Sequence, residues 1–218
     1  MIEVVIFDFD GVLVESVDIK TRAFAKLFEA EGAEVVDRVV DYHLRNSGVS
    51  RFEKFRYIYT EFLYRPLSDV IFQDLCRRFS ELVLEEVVSA PYVAGAKEFL
   101  ENNAGAYSCF VCSATPQDEI EEIVKLREME RYFKGVFGAP RTKGDIVRNI
   151  LASYDVCPGD AVYIGDAWSD YEAATENSVN FVARINCDET VFSDVDCVKV
   201  NDLTGLKTLL DSMQMTGT

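Results

Sequence analysis

The chain has 218 residues, nearly half of them apolar and 28% charged, the balance of a globular protein long enough to bury a full core. Its 22 basic and 38 acidic residues leave a formal charge of -16, which argues against nucleic acid and against an anionic membrane surface as partners. An anion-binding site in such a chain needs locally concentrated positive charge.

The chain opens on Val4-Val5-Ile6-Phe7-Asp8-Phe9-Asp10-Gly11-Val12-Leu13-Val14. The short β-branched run reads as a buried central strand. It delivers Asp8 and Asp10, one residue apart, at the carboxyl end of the strand, where open α/β sheets bind ligands. Neither acid has a basic neighbour in the local sequence, so a cation must be supplied or one acid must keep its proton. The plainer alternative is a strand ending in two solvated acids, one of them capping a helix. Gly11 allows a tight turn and a close approach to a ligand. No charged leader or cleavage-like site precedes the strand, so no targeting segment is expected.

From Val14 onward the period changes to that of helices. Residues 17–31 place Ile19, Ala23, Phe24, Leu27 and Phe28 on one face before Gly32. Further helices are expected over 36–46, 50–64 and 69–88, the last with Phe72, Leu75, Phe79, Leu82 and Val83 or Leu84 inward. The block 15–90 contains no credible strand and reads as an inserted helical bundle. After the turn-rich segment Ala90 to Gly95, strands at 107–112, 135–138, 161–165, 179–183 and 197–200 alternate with helices at 95–103, 117–127, 143–154, 169–177 and 204–213. Such alternation predicts a parallel sheet covered on both faces. The tail from Met213 is expected to fray.

The six cysteines (Cys76, Cys109, Cys112, Cys157, Cys187 and Cys197) show no framework spacing. Cys109 and Cys112 are three apart on a predicted strand and point to opposite faces, which disfavours a redox pair or a zinc site. Buried, reduced thiols and a cytoplasmic protein are expected. No apolar run has the length of a membrane span.

Three later strand ends carry functional groups. Cys112-Ser113-Ala114-Thr115-Pro116 ends a strand in hydroxyls, either a phosphate cradle at a helix start or a simple helix cap. Thr142-Lys143 precedes a helix, and its lysine is either solvated or reaches the same rim. Ile164-Gly165-Asp166 ends a strand, with Asp170 one helical turn on. Capping and dipole pairing would explain these acids singly. Together with Asp8 and Asp10 they form an oxygen-rich cluster suited to Mg²⁺.

Asp8 to Ser16, Ser113, Lys143 and Gly165-Asp166-x-x-x-Asp170 resemble the four ordered motifs of the haloacid dehalogenase superfamily, over almost the whole chain. The helical insertion resembles the cap of its phosphoglycolate phosphatase and β-phosphoglucomutase branch. The resemblance implies an α/β fold, a Rossmann-like core of residues 1–14 and 91–218 with an inserted four-helix cap at 15–90. It implies Asp8 as nucleophile and Asp10 as general acid and base. Gly11, Ser113, Ala114 and Lys143 would hold the phosphate, and Asp8, Asp10, Asp166 and Asp170 would hold Mg²⁺. The activity implied is a Mg²⁺-dependent phosphatase of a small phosphorylated metabolite, working through an aspartyl-phosphate as monomer or homodimer.

Two departures stand out. The proline-containing turn often found after the third motif is missing at Lys143-Gly144-Asp145. Lys20 stands near the position where mutases commonly carry histidine, which weakens the mutase reading. Asp10, which haloacid dehalogenases themselves lack, favours phosphoryl transfer over dehalogenation. The alternatives are a sugar phosphomutase, a phosphonate hydrolase using Lys20 or Lys54, or a phospho-aspartate signalling module. In the cap, Arg45, Asn46 and Arg51 are candidates for holding the non-phosphate part of the substrate, with His43 a weaker one. Glu15 and Asp18 are candidates for touching the leaving group.

Overall fold

The computed structural model describes residues 1–103, 105–186 and 191–215. Cys187 and the last three residues of the predicted frayed tail lie outside them. Six parallel strands form one sheet in the order β3-β2-β1-β4-β5-β6: β1 (Val4–Phe7), β2 (Ser108–Pro116), β3 (Gly135–Ala139), β4 (Ala161–Gly165), β5 (Asn180–Arg184) and β6 (Val198–Val200). β1 lies between β2 and β4, with Phe7 level with both Val111 and Ile164. Flanked on both edges and covered on both faces, its four residues are buried, which is why they form a continuous apolar run.

The two-residue strand period sorts the core. Val5, Phe7, Cys109, Val111, Val162 and Ile164 face one layer, and Val4, Ile6, Phe110, Cys112 and Tyr163 face the other. Cys109 and Cys112 therefore sit on opposite faces as expected, and burial pushes both thiols up to about 12. The first layer packs under α5 (Ala96–Asn103), α6 (Gln117–Leu126) and α9 (Leu206–Met215). The second packs under α7 (Lys143–Tyr154) and α8 (Trp168–Glu176).

Between β1 and α5 stand the expected four helices, α1 (Val17–Leu27), α2 (Ala33–Arg45), α3 (Arg51–Tyr57) and α4 (Asp69–Ser89). The α1 helix is shorter than the pattern predicts. It stops at Leu27, and Glu29–Glu31 form a 3₁₀ turn before Gly32, whose φ of +94° suits glycine. The α3 helix widens into a π-helical turn at Ile58–Phe62. In α4 the buried stripe is Leu75, Phe79, Val83 and Val87, each four residues from the last, while Leu82 faces outward. Phe79 meets Phe24 of α1 with ring centroids 4.7 Å apart, and Phe55 of α3 at 6.0 Å. No helix among the described residues is long and apolar enough to cross a membrane.

Arg127, just beyond α6, fastens the insertion to the sheet layer. Its Nη1 donates to the carbonyls of Val87, Val88 and Ala90 at 2.9, 2.7 and 2.8 Å, with the guanidinium 4.4 Å from the Tyr92 ring centroid. A cation thus answers carbonyls at the end of α4, of which Val87 also accepts from the Ala90 N–H at 3.3 Å. Arg127→Met keeps the apolar stem but strands those carbonyls. It should cost about 2 kcal/mol, lowering Tm by roughly 4–8 °C in a melt followed by circular dichroism.

Candidate active site

Because β1, β2 and β4 run in register, the residues that follow them arrive along one edge of the sheet. Asp8 continues the β1 ladder, its N–H donating to Ile164 at 2.9 Å. The chain then turns back through Gly11, whose φ is +77° and whose N–H donates to Val14 at 2.8 Å. A β-carbon on Gly11 would run into the Asp166 carboxylate and Asn186, so only glycine lets this turn lie against the acid.

Lys143 opens α7 and joins two acids. Its Nζ donates to Asp8 Oδ2 at 2.8 Å and to Asp170 Oδ1 at 2.6 Å, all three side chains being buried. Burial alone would lower the lysine pKa, but Asp170 and Asp8 outweigh it and raise it, keeping the ammonium charged. Asp8 Oδ1 accepts from the Phe9 N–H at 2.6 Å. Tyr163 donates to Asp170 Oδ1 at 2.8 Å and the Ala167 N–H to Oδ2 at 3.0 Å.

Asp8, Asp166 and Asp170 bring three carboxylate oxygens within 4.8 Å of one another. One lysine does not offset this crowding. Burial, with Asp170 and Asp10 adding to it against Lys143, pushes Asp8 up to about 7. Burial and the nearby Asp8 and Asp170 push Asp166 well above the usual carboxylate range. An all-oxygen donor set with surplus negative charge fits a Mg²⁺ ion.

Asp10 behaves differently. Burial raises its pKa, but Lys20 of α1, with hydrogen bonds from Lys20, Ser16 and Thr115, holds it below the ordinary value. Ser16 donates at 2.6 Å and Thr115 at 3.2 Å, while Lys20 bonds the same carboxylate and Thr115 Oγ1 at 2.7 Å. The cation missing from the local sequence is thus ten residues on, brought back by the insertion.

Ser113 and Ala114 reach the same edge, but not at a helix start. β2 runs on to Pro116, pairing with Ala139 of β3 after a register shift, so α6 begins only at Gln117. The buried Ser113 Oγ accepts from the Thr115 N–H at 3.1 Å. A phosphate held there would therefore meet extended backbone rather than a helix N-terminus.

The insertion closes over this edge. Gly48 lies so near Ser169, Ala167 and Lys143 that a side chain would not fit, and its carbonyl accepts from Ser169 Oγ at 3.0 Å. Beneath lies a cavity of about 40 Å³ bounded by Asp8, Asp10, Lys20, His43, Lys54 and Asp166, among others. Lys54 is buried with Nζ 2.8 Å from His43 Nδ1. Burial, then Lys20 and Lys143, hold it well below the usual lysine range. Burial, then Lys54 and Lys20, push His43 down to about 2.

The other cap candidates are placed differently from expectation. Arg45 is exposed and pairs with Asp41 at 3.0 Å, one turn back on α2, away from the cavity. Asn46 turns its amide to the Tyr42 carbonyl at 2.8 Å, closing the end of α2. Arg51 borders the cavity, but its charge is taken by Glu119 of α6. Glu15 pairs with Arg184 at 2.7 Å, and with Asp18 it borders a neighbouring cleft that also reaches Asp166. Glu119, Tyr163 and Asn186 escaped the sequence reading, as did the bond from Thr115 to Asp10, because each is defined by a partner at least seven residues away.

Residues 5–184 match the family model of the haloacid dehalogenase-like hydrolases. The chain belongs to that hydrolase family. It is 28% identical over 181 residues to a phosphorylated carbohydrates phosphatase of Thermotoga maritima, covering 79% of this chain and 80% of that protein. Among solved structures it superposes on a β-phosphoglucomutase from Clostridium difficile with TM-score 0.79, at 17% identity over 99% of this chain and 98% of the other. CbbY from Rhodobacter sphaeroides, in complex with phosphate, gives TM-score 0.73 at 19% identity, over 94% and 96% of the chains.

The raised pKa of Asp8 sets a pH dependence. Between roughly pH 4 and 7 the folded protein keeps a proton that the unfolded chain has lost, so stability falls as pH rises through that window. In chelator, Asp8→Asn should lack this fall and exceed the wild type by about 2 kcal/mol at pH 8, with little gain at pH 5. Urea titrations at the two pH values measure it. Equal pH dependence in both proteins would contradict it.

Proposed function

We propose that this chain is a Mg²⁺-dependent phosphatase acting on a small phosphorylated carbohydrate through an aspartyl-phosphate on Asp8. The observation that carries the reading is the arrangement at one cavity of Asp8, held at both oxygens by Lys143 and the Phe9 N–H, with Asp10 two residues on and the carboxylates of Asp166 and Asp170 behind. The relative named for phosphorylated carbohydrates supports the substrate class. Residues 1–14 and 91–218 are the core in this reading, 15–90 its cap, and the cytoplasm its compartment.

Asp8 and Asp166, with the Asp10 carbonyl, would hold Mg²⁺, which when bound offsets repulsion between carboxylate and phosphate and stabilises charge on the transferring oxygens. The oxygens of Asp170 are already engaged by Lys143, Tyr163 and Ala167, so it acts from behind, fixing the lysine. Asp8 attacks phosphorus through its carboxylate, exchanging one difficult displacement for two easier ones. Lys143 favours the ionised form of that carboxylate against the crowding around it and, with Ser113 and the Ala114 amide, would hold the phosphoryl group, whereas the Gly11 N–H is spent on the Val14 carbonyl. Asp10 gives a proton to the leaving oxygen and later takes one from the attacking water. Its pKa, held down beside Lys20, leaves it ionised and ready to accept that second proton.

Asp8→Asn should reduce turnover of p-nitrophenyl phosphate by at least about 10³-fold and abolish covalent labelling by phosphate, with the circular dichroism spectrum unchanged. Asp10→Asn should slow turnover by about 10²–10⁴-fold while still accepting the label. Excess chelator should stop the wild-type enzyme and Mg²⁺ should restore it. Wild-type rates from Asp8→Asn, or full activity in chelator, would overturn the reading.

A further inference from the structure

Much of the cavity wall is built by residues between β1 and α5, among them Phe24, Arg51, Lys54 and Phe79. Arg51 of α3 lies over the Phe79 ring, its guanidinium carbon 4.3 Å from the centroid, and meets Glu119 of α6 fork to fork. Nη1 donates to Oε2 at 2.9 Å, Nη2 donates to Oε1, and the Ser80 hydroxyl of α4 donates to the same carboxylate. The side chains are 4% and 8% exposed, so the pair is formed with little water to screen it. Arg51 and Ser80 belong to the insertion and Glu119 to the sheet layer, so the pair ties the two together across the cavity wall.

The other cations at the cavity are also engaged. Lys20 is taken by Asp10 and Thr115, and Lys143 by Asp8 and Asp170. Lys54 lies against His43, where burial opposes its charge. A leaving group with a carboxylate or second phosphate would have to draw Arg51 from Glu119, leaving a buried carboxylate without its counter-charge as the cavity closed. Hydroxyls make no such demand. The guanidinium N–H groups not spent on Glu119 and Ser80 donate to them, and Phe24 and Phe79, which line the same cavity, offer apolar surface to the carbons between.

We propose that Glu119 is a specificity-determining residue: by neutralising Arg51, which lines the cavity, it selects phosphomonoesters whose leaving group is neutral and hydroxylated over those that carry a second anion. This rests on the phosphatase reading and narrows it.

The test compares kcat/KM for a hexose 6-phosphate with that for the matching hexose 1,6-bisphosphate, in Mg²⁺, using p-nitrophenyl phosphate to report the chemical step. The wild type should favour the monophosphate by about tenfold or more. Glu119→Gln, which frees the guanidinium, should move the ratio at least about tenfold toward the bisphosphate. Arg51→Gln, which leaves the carboxylate uncompensated, should move it the other way. A wild type that prefers the bisphosphate, or a ratio unmoved in folded Glu119→Gln, overturns the proposal. If Glu119→Gln does not fold, the wild-type ratio and Arg51→Gln still decide. Failure of the wild type to hydrolyse even the aryl phosphate would count against the phosphatase reading instead.

Discussion

Lys143 is the interaction around which the site is organised. Parallel strands in register deliver Asp8, Asp166 and Asp170 to one edge, where their mutual repulsion would push them apart or protonate them. A single ammonium at the start of α7 spans two of the three, and its own burial is tolerable because both neighbours are anionic. The remaining surplus of negative charge is what a divalent cation would meet. Tyr163 and the Ala167 N–H then fix the far acid, so that the lysine is aimed rather than merely attracted.

The second lysine divides the work of two neighbouring acids. Asp8 and Asp10 are two residues apart, yet their protons are held in opposite senses: crowding raises the first, and Lys20, Ser16 and Thr115 lower the second. Environment rather than residue type sets these two acids apart. Since Lys20 comes from α1, the insertion is part of the site and not a mere cover.

Much of this was legible in sequence, and the reasons differ by residue. The strands announced themselves because β1 and β4 are buried on both faces, leaving unbroken apolar runs. Asp8, Asp10 and Asp166 announced themselves because they follow such runs, where the geometry of a parallel sheet leaves little freedom, and Asp170 and Lys143 because they fall in the first turn of the helices that follow strands. The partner of Arg51 was not legible: nothing in its own segment reveals that Glu119, 68 residues later, will meet its charge. The pairing of Lys20 with Asp10 was missed for a related reason, since only the fold of α1 brings that ammonium back. The extension of β2 to Pro116 was hidden because proline lacks the amide that ladders use, whereas its carbonyl and its place beside Ala139 still allow it to end a strand.

The fastening of α4 by Arg127 makes that helix a lever arm. Its C-terminal carbonyls are pinned, and Ser80 lies eight residues back along the axis, a distance of roughly 12 Å. A rotation of about 10° at the pinned end would carry Ser80 by only about 2 Å, yet that exceeds what a hydrogen bond to Glu119 tolerates. The far end of α4, about 30 Å away, would sweep some 5 Å in the same motion. The three carbonyl contacts to Arg127 thereby set how precisely Ser80 can be held against Glu119.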